Sequence, residues 1–214
     1  MTRKVIALFL LGILLLQALP ALAYDSIGFG HYEQDGNPEN GPEEIRWLVL
    51  EKQDGKMLLL SEKALDAVQY HEKWREVTWE NCTVRAWLQE SFVDMAFSDE
   101  EKERLLTVTN VNPPKKNYKT RGGNDTEDTV FLLSYEEVSR YFPEQEARRA
   151  ECTEYGRAQG IRAKKTGLCA WWLRTPGQRQ YHACTVTTAG NGYDTFDVTC
   201  KTNGIRPAVW IADE

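Results

Sequence analysis

The sequence predicts an α+β domain, with strands near both ends of the chain and helices in its middle. Three observations support this class: an Asp-Gly turn between two apolar runs, a central segment with helical apolar periodicity, and a second hairpin signal near the C-terminus. Because helices and strands are segregated along the chain, they do not form alternating βαβ units.

The N-terminal region is predicted to be mainly strand. Residues 27–32 alternate as a strand does. Residues 45–51 and 56–61 flank Asp54-Gly55, a strong short-range signal for a β-hairpin. Residues 35–42 are rich in turn formers, so we expect a loop there.

Apolar spacing and capping residues predict helices in the middle of the chain. One apolar helical stripe consists of Val84, Trp87, Leu88 and Phe92. Further helices are predicted to begin at the capping boxes Ser98/Glu101 and Ser134/Glu137, and one more to run from the cap Thr153 to Gly160. Between them, residues 111–128 are predicted to be a long, mobile polar loop, and 130–133 a short strand.

Two similar segments near the C-terminus, WWLRT (171–175) and IRPAVWI (205–211), are predicted to be neighbouring strands. Each would have an apolar face and an opposite face carrying a Trp and an Arg. We expect Trp171 and Trp172 to pack in the core. Pro207 lacks an N–H group, so its strand should lie at an edge or be bulged there. Residues 185–187 and 196–199 flank a Gly-Asn-Gly hairpin signal.

The first 23 residues are predicted to be a signal peptide, which leaves 24–214 as a single domain. Arg3 and Lys4 precede an apolar run, and Ala21-Leu22-Ala23 is a small-x-small cleavage site. We therefore expect a secreted or cell-surface protein without a membrane span after cleavage. The full chain has a net charge of −6, and loss of Arg3 and Lys4 makes it more negative. This acidity argues against nucleic acid as a partner.

All five cysteines follow the predicted signal peptide: Cys82, Cys152, Cys169, Cys184 and Cys200. An odd number leaves at least one thiol unpaired if disulfides form in an oxidising compartment. Zinc is disfavoured because no C-x-x-C motif occurs and the three histidines are scattered. We expect structural or free thiols.

Several segments together resemble a large family of exported bacterial domains of unknown function. They are TWENCTVRAWL (78–88), VFLLSYEEV (130–138), WWLRTPG (171–177) and GIRPAVWI (204–211), in that order. Two N-terminal segments, FGHYEQDG and IRWLVLEKQDGKMLLLSEKALD, fit the same pattern, so the resemblance covers residues 27–211. This chain departs from the family at Cys82, where serine is usual, and at Thr175, where serine is commoner.

More distantly, the Trp-rich strand and the closing G-I-R-P strand are similar to the C-type-lectin-like fold, which formylglycine-generating enzymes share. The resemblance implies a twisted, mostly antiparallel sheet with two or more short helices and long loops. It also implies that the N- and C-terminal strands come together. Calcium-dependent lectins of this fold use E-P-N or Q-P-D and W-N-D triplets, which are absent here. We therefore expect no calcium-dependent sugar binding.

The formylglycine-generating enzymes oxidise their substrate with a close cysteine pair that holds copper. Here Cys184 and Cys200 lie symmetrically about Gly192, so a turn centred there would oppose them and permit a cross-strand disulfide. A redox pair is the alternative. His182 would share a strand face with Cys184, a weak indication of a Cys-His site. No G-x-S-x-G, H-E-x-x-H or P-loop motif occurs.

We therefore expect a secreted, non-catalytic recognition module that binds a surface glycan or protein without calcium, another metal or a cofactor. Two alternatives remain: a cysteine/copper-dependent oxidoreductase of the formylglycine-generating type, and a structural component of a cell envelope. The loop 178–182 and the turn 191–194 are predicted to form the binding site. Its candidate residues are Arg179, Tyr181, His182, Asn191, Tyr193 and Asp194.

Overall fold

The computed structural model describes residues 24–213, and the predicted signal peptide lies outside this range. The strands are β1 (Ser26–Tyr32), β2 (Glu43–Gln53), β3 (Lys56–Ser61), β4 (Leu105–Leu106), β5 (Val108–Asn110), β6 (Thr126–Asp128), β7 (Val130–Phe131), β8 (Ala150–Glu151), β9 (Leu168–Cys169), β10 (Trp171–Pro176), β11 (His182–Val186), β12 (Gly192–Asp197) and β13 (Ala208–Ala212). The α-helices are α1 (Thr83–Trp87), α2 (Val93–Ala96), α3 (Asp99–Arg104), α4 (Tyr135–Tyr141) and α5 (Glu154–Gln159).

The largest sheet joins the two ends of the described chain. Its strand order is β1-β2-β3-β13-β4, and β7 also pairs with β13. All of these pairs are antiparallel. The β2–β3 hairpin forms where predicted, because Asp54 and Gly55 both adopt positive φ angles of 51° and 70°, as a tight two-residue turn requires. The prediction of an α+β fold with mostly antiparallel strands is confirmed.

The three smaller sheets are also antiparallel. A three-stranded sheet has the order β10-β11-β12, and two-stranded ladders are formed by β5 with β6 and by β8 with β9. The C-terminal hairpin signal is thus confirmed as the β11–β12 connection. The central loop is shorter than predicted, because residues 126–128 form β6.

The helices in the middle of the chain begin where the capping residues predicted. Ser98 and Ser134 both form complete capping boxes, with Glu101 and Glu137 respectively. The Thr153 hydroxyl caps α5. The predicted apolar stripe lies on a continuous helical segment, in which a π-helical turn, Leu88–Phe92, connects α1 to α2. None of the helices within residues 24–213 is both long and apolar enough to cross a membrane.

The two Trp-Arg segments are close, but the prediction that they form adjacent strands is wrong. β10 and β13 belong to different sheets. The segments meet at Gly204, which receives a hydrogen bond from Trp172 N (3.0 Å) and donates one to Ala170 O (2.8 Å). The reason is that β3 occupies one edge of β13 while β4 and β7 occupy the other, so no edge is left for β10.

Pro207 does not make β13 an edge strand, which corrects a second expectation. It precedes the first residue of β13, Ala208, and its carbonyl accepts a hydrogen bond from Ser61 N at 3.0 Å. The missing N–H therefore falls outside the ladder, and an interior strand can follow directly.

The main core lies where these sheets and the helical segment meet, and its largest members are aromatic. Trp47, Trp79, Trp171 and Trp172 are fully buried. The core role expected for the tandem tryptophans is therefore confirmed. Arg206 is buried with them: its guanidinium lies 5.0 Å from the Trp171 ring centroid, and its Nε donates to Ser61 O at 2.7 Å.

Candidate functional site

A polar groove runs between three segments that the fold brings together, residues 75–81, 114–124 and 178–181. It consists of two concavities of about 570 and 320 Å³. Both are lined by Glu76, Arg121 and Gln180, so they adjoin each other. We refer to the combined concavity as the polar groove.

Gln180 fixes the distance between the walls of the polar groove. Its side-chain amide donates to Val77 O (3.0 Å) and Arg121 O (2.9 Å) and accepts from Arg121 N (2.8 Å). The main chain adds a bond from Val77 N to Gln180 O at 3.1 Å. A buried side chain with every polar atom bonded holds both walls rigidly.

The end of the groove near Gly123 is closely packed. Gly123 has φ +97°, and a Cβ atom at this position would lie 2.7 Å from Thr78 Oγ1, so only glycine fits. Beside it, the Glu80 carboxylate accepts from Asn124 Nδ2 at 3.0 Å and from Asn124 N at 3.3 Å. Thr78 Oγ1 is buried and has no hydrogen-bond partner within residues 24–213.

An aromatic pair lies at the side of the polar groove: the half-buried Tyr181, which lines the groove, and the exposed Trp74, which packs on Tyr181. Trp74 is 62 % exposed, and its ring lies 4.6 Å from the ring of Tyr181, measured between centroids. Tyr181 in turn makes an edge contact with His182. Asp197 accepts from Trp74 Nε1 at 3.4 Å and pairs with His182 Nε2 at 3.3 Å. These contacts hold two aromatic rings at the surface directly beside polar groups.

A buried histidine supports the groove from behind. Arg75 Nε donates to His71 Nε2 at 2.9 Å, and Thr83 Oγ1 lies 3.0 Å from His71 Nδ1. Because Nε2 accepts, the ring is neutral with its proton on Nδ1. Burial and the positive charge of Arg75 both lower the pKa of His71 below its ordinary value.

The six predicted site residues are divided between two surfaces. Arg179 and Tyr181 line the polar groove, with His182 next to them, whereas Tyr193 and Asp194 line a second concavity of about 390 Å³. In the described part of the chain, the polar groove and this second concavity share no lining residue. Asn191 lies in the β11–β12 turn, where its carbonyl accepts from Thr187 N at 2.8 Å.

The second concavity contains a buried cysteine beside a lysine. Lys115 Nζ lies 2.9 Å from Cys184 Sγ and 3.4 Å from Asp194 Oδ2. Burial raises the pKa of the Cys184 thiol, although Lys115 opposes this effect. The Cys-His site considered from the sequence is not formed, because Cys184 Sγ contacts Lys115 Nζ and Pro176 O, and His182 Nδ1 has no hydrogen-bond partner within residues 24–213.

The predicted bridge between Cys184 and Cys200 is not formed, and both thiols are free. The β11–β12 register pairs Val186 with Gly192, so the turn is centred near residue 189 and not at Gly192. Cys200 consequently lies beyond the end of β12, where its sulfur contacts Thr202 Oγ1 at 3.2 Å. This arrangement removes the basis for a copper-binding pair at these two positions.

Three carboxylates near the N-terminus lie close enough together to hold a cation. Oxygen atoms of Glu33, Asp35 and Glu43 lie within 4.8 Å of one another. Each also accepts a hydrogen bond from a backbone amide of the same loop region. These bonds explain the placement of the carboxylates, and we assign no metal site to them.

The most exposed member of the aromatic pair, Trp74, was missed by the sequence reasoning. A signal was present, because Trp74 is flanked by the charged residues Lys73 and Arg75, where an apolar ring has no obvious buried role. Gln180 was also missed, since nothing in the local sequence shows which backbone groups a glutamine will reach.

Comparison with known proteins identifies the family but not an activity. Searches of curated proteins and of solved structures find no significant match to the chain. A family model described as "Domain of unknown function (DUF6273)" matches residues 54–213, about three quarters of the chain, starting at the β2–β3 turn. The chain therefore belongs to the DUF6273 family of domains of unknown function.

Proposed function

We propose that this protein is an exported, calcium-independent recognition module that binds a surface glycan in the polar groove. The observation that carries the proposal is the exposed Trp74, which stacks on Tyr181 at the side of this groove. A tryptophan that is 62 % exposed contributes little to the core, whereas a flat apolar ring beside hydrogen-bonding groups suits the mixed surface of a sugar.

The lining of the groove supports a polar ligand. Glu76, Glu80, Asn81, Arg121 and Asn124 supply both donors and acceptors along its length. The Gln180 bonds keep the walls in place before a ligand arrives, which lowers the entropy lost on binding. The larger concavity of the groove, of about 570 Å³, accommodates a ligand of one to a few sugar rings.

A C-type-lectin-like fold is part of the proposal. It is supported by the pairing of β3 with β13, which brings the N- and C-terminal strands into one antiparallel sheet. The short central helices and the long loop that forms a wall of the groove are also consistent with this fold. In this view the binding loops are presented by a rigid sheet, as recognition loops commonly are.

The proposal is tested by screening the purified protein on a glycan array and measuring the best hit by calorimetry. We expect Trp74→Ala and Tyr181→Ala each to weaken binding by roughly 10-fold or more, since each removes a stacking face. Tyr193→Ala is the matched control, because Tyr193 is also an exposed aromatic (48 %) but lies in the second concavity. It should leave the affinity unchanged.

Two outcomes would overturn the proposal. Binding that survives the double substitution of Trp74 and Tyr181 would remove the groove as the site. Absence of any glycan hit, together with capture of a defined envelope protein that depends on Trp74, would favour protein recognition and a structural role at the cell envelope.

A further inference from the structure

Two cysteines that the proposed function does not use lie side by side in a small core of their own. Cys152 directly follows β8, and Cys169 is the last residue of β9. With Ala64 and Ile161 they form a buried cluster separate from the main core. The two side chains share this cluster, and an interaction between the thiols shifts both of their pKa values.

Strand pairing explains why these two thiols meet. The β8–β9 register pairs Ala150 with Cys169, and Cys152 N donates to Gly167 O at 3.1 Å. Side chains two residues apart share a strand face, so Cys152 and Cys169 are diagonal neighbours on the same face of the ladder. The other three thiols have different neighbours: Trp79 O for Cys82, Lys115 for Cys184 and Thr202 for Cys200.

The two cysteines differ in access to solvent. Cys152 is 6 % exposed and borders a surface concavity of about 410 Å³, whereas Cys169 is fully buried. Contact with Cys169 lowers the pKa of Cys152 to about 7, with a smaller contribution from Arg157, and these effects outweigh burial. The same contact and burial raise the pKa of Cys169. The lowered pKa favours the Cys152 thiolate, and this residue borders the concavity, whereas Cys169 is enclosed behind it.

We propose that Cys152 and Cys169 form a thiol–disulfide exchange site that closes to an intramolecular disulfide on reaction with a disulfide compound. The Cys152 thiolate attacks one sulfur of the compound, forms a mixed disulfide and releases one thiolate. Cys169 Sγ then attacks Cys152 Sγ and releases the second. The two cysteine protons leave with the two thiols, so the protein dithiol is oxidised and one external disulfide is reduced to two thiols.

The bond would close a loop that contains α5 and the Gly167 turn, which form much of the wall of this concavity. Closing that loop restricts the unfolded chain, and we expect the oxidised protein to melt roughly 5–10 °C higher than the reduced protein.

The test is to incubate the reduced protein with oxidised glutathione, digest it without reductant, and identify linked peptides by mass spectrometry. We expect a Cys152–Cys169 linkage in the wild type. In Cys169→Ser the reaction should stop at a Cys152–glutathione adduct, and in Cys152→Ser neither product should form at Cys169. Cys200→Ser is the control, and the linkage should form in it as in the wild type.

Failure of the linkage to form in folded wild-type protein would overturn the proposal, as would a Cys152 adduct equally abundant in the wild type and in Cys169→Ser. If Cys169→Ser does not fold, the rate of Cys152 alkylation by iodoacetamide against pH in the wild type decides. If the alkylation rate rises with a pH midpoint near the ordinary thiol pKa, the proposed activation of Cys152 is refuted. A pH midpoint near 7 supports the activation.

Discussion

The guanidinium of Arg174 in β10 forms a two-point ion pair with the carboxylate of Glu137 in α4. Glu137 is also the third helical residue of α4 and completes the capping box with Ser134. One carboxylate therefore caps a helix and neutralises an almost fully buried arginine. This contact explains an arginine in the otherwise apolar segment WWLR, and it ties the three-stranded sheet to the central helices.

Glu137→Gln should destabilise the protein by roughly 2–3 kcal/mol, because it leaves the Arg174 charge buried without a counter-charge. The loss should be below that of a fully buried pair, since the Glu137 side chain is 30 % exposed. Urea denaturation measures it. Glu146→Gln, which breaks the exposed pair with Arg149, is the control and should cost less than about 1 kcal/mol. If the two substitutions lowered the free energy of unfolding equally, the Glu137–Arg174 pair would contribute no more than an exposed ion pair.

The same pair should contribute to acid sensitivity. Burial alone would raise the pKa of Glu137, but the ion pair with Arg174 and the hydrogen bonds with Ser134 together outweigh burial and lower the pKa below 4.5. At pH values between the folded-state pKa and 4.5, the Glu137 carboxyl binds a proton in the unfolded state but not in the folded state. The stabilisation is therefore complete above pH 4.5 and lost as the pH falls through the folded-state pKa. Unfolding free energies measured from pH 6 to pH 3 should fall less steeply in Glu137→Gln than in the wild type.

A second pH dependence should come from His71. Burial and the charge of Arg75 lower the pKa of this histidine below 6.5. As the pH falls through 6.5 the unfolded histidine takes up a proton while the folded one stays neutral, so stability should decrease in that range. His71→Gln should remove this part of the decrease between pH 7.5 and 5.5. His31→Gln, at an exposed position, is the control. An unchanged slope in His71→Gln would contradict the prediction.

Arg206 should act mainly through packing. It lies between the Trp171 and Phe142 rings, and burial lowers its pKa to about 10, so it remains charged at neutral pH. Arg206→Ala should cost roughly 3–5 kcal/mol by opening a cavity beside Trp171. Arg206→Met fills most of that volume and should recover at least half of the loss. Thermal unfolding followed by near-UV circular dichroism tests this, and equal losses would argue against packing.

Gln180→Ala should impair the polar groove without altering its aromatic border. Removing three hydrogen bonds frees Arg121 from Val77, and we expect a cost of roughly 1–3 kcal/mol in stability together with at least a 10-fold loss of glycan affinity. Gln159→Ala, at an exposed position of α5 outside the lining of the groove, is the control and should change neither the stability nor the glycan affinity. If Gln180→Ala bound the glycan as tightly as the wild type, the Gln180 hydrogen bonds between the walls of the groove would not be needed for binding.

Elements with a local cause were predictable from the sequence. The capping boxes at Ser98 and Ser134 and the turn at Asp54-Gly55 depend on side chains and φ angles within four residues. The burial of Trp171 and Trp172 also followed from composition, because large apolar side chains in a polar chain must leave water.

The candidate site was predictable only in part, because it depends on contacts between residues that are far apart in the sequence. Tyr181 and Arg179 line the polar groove, but the other residues that form this groove come from distant parts of the chain. Trp74 stacks on Tyr181 across more than 100 residues, and Gln180 reaches Val77 across a similar separation. The disulfide prediction failed because a turn centred three residues earlier than expected moves Cys200 out of register.

The sequence by itself determined the α+β class, the helix starts, the two main hairpins and the buried tryptophans, because each depends on short-range geometry or on the removal of apolar surface from water. Only the tertiary structure decided which strands became neighbours, which cysteines meet and which aromatic residue stays exposed. Those outcomes depend on contacts between residues that are far apart in the sequence: β13 is paired with β3 along one edge and with β4 and β7 along the other, which leaves no edge for β10.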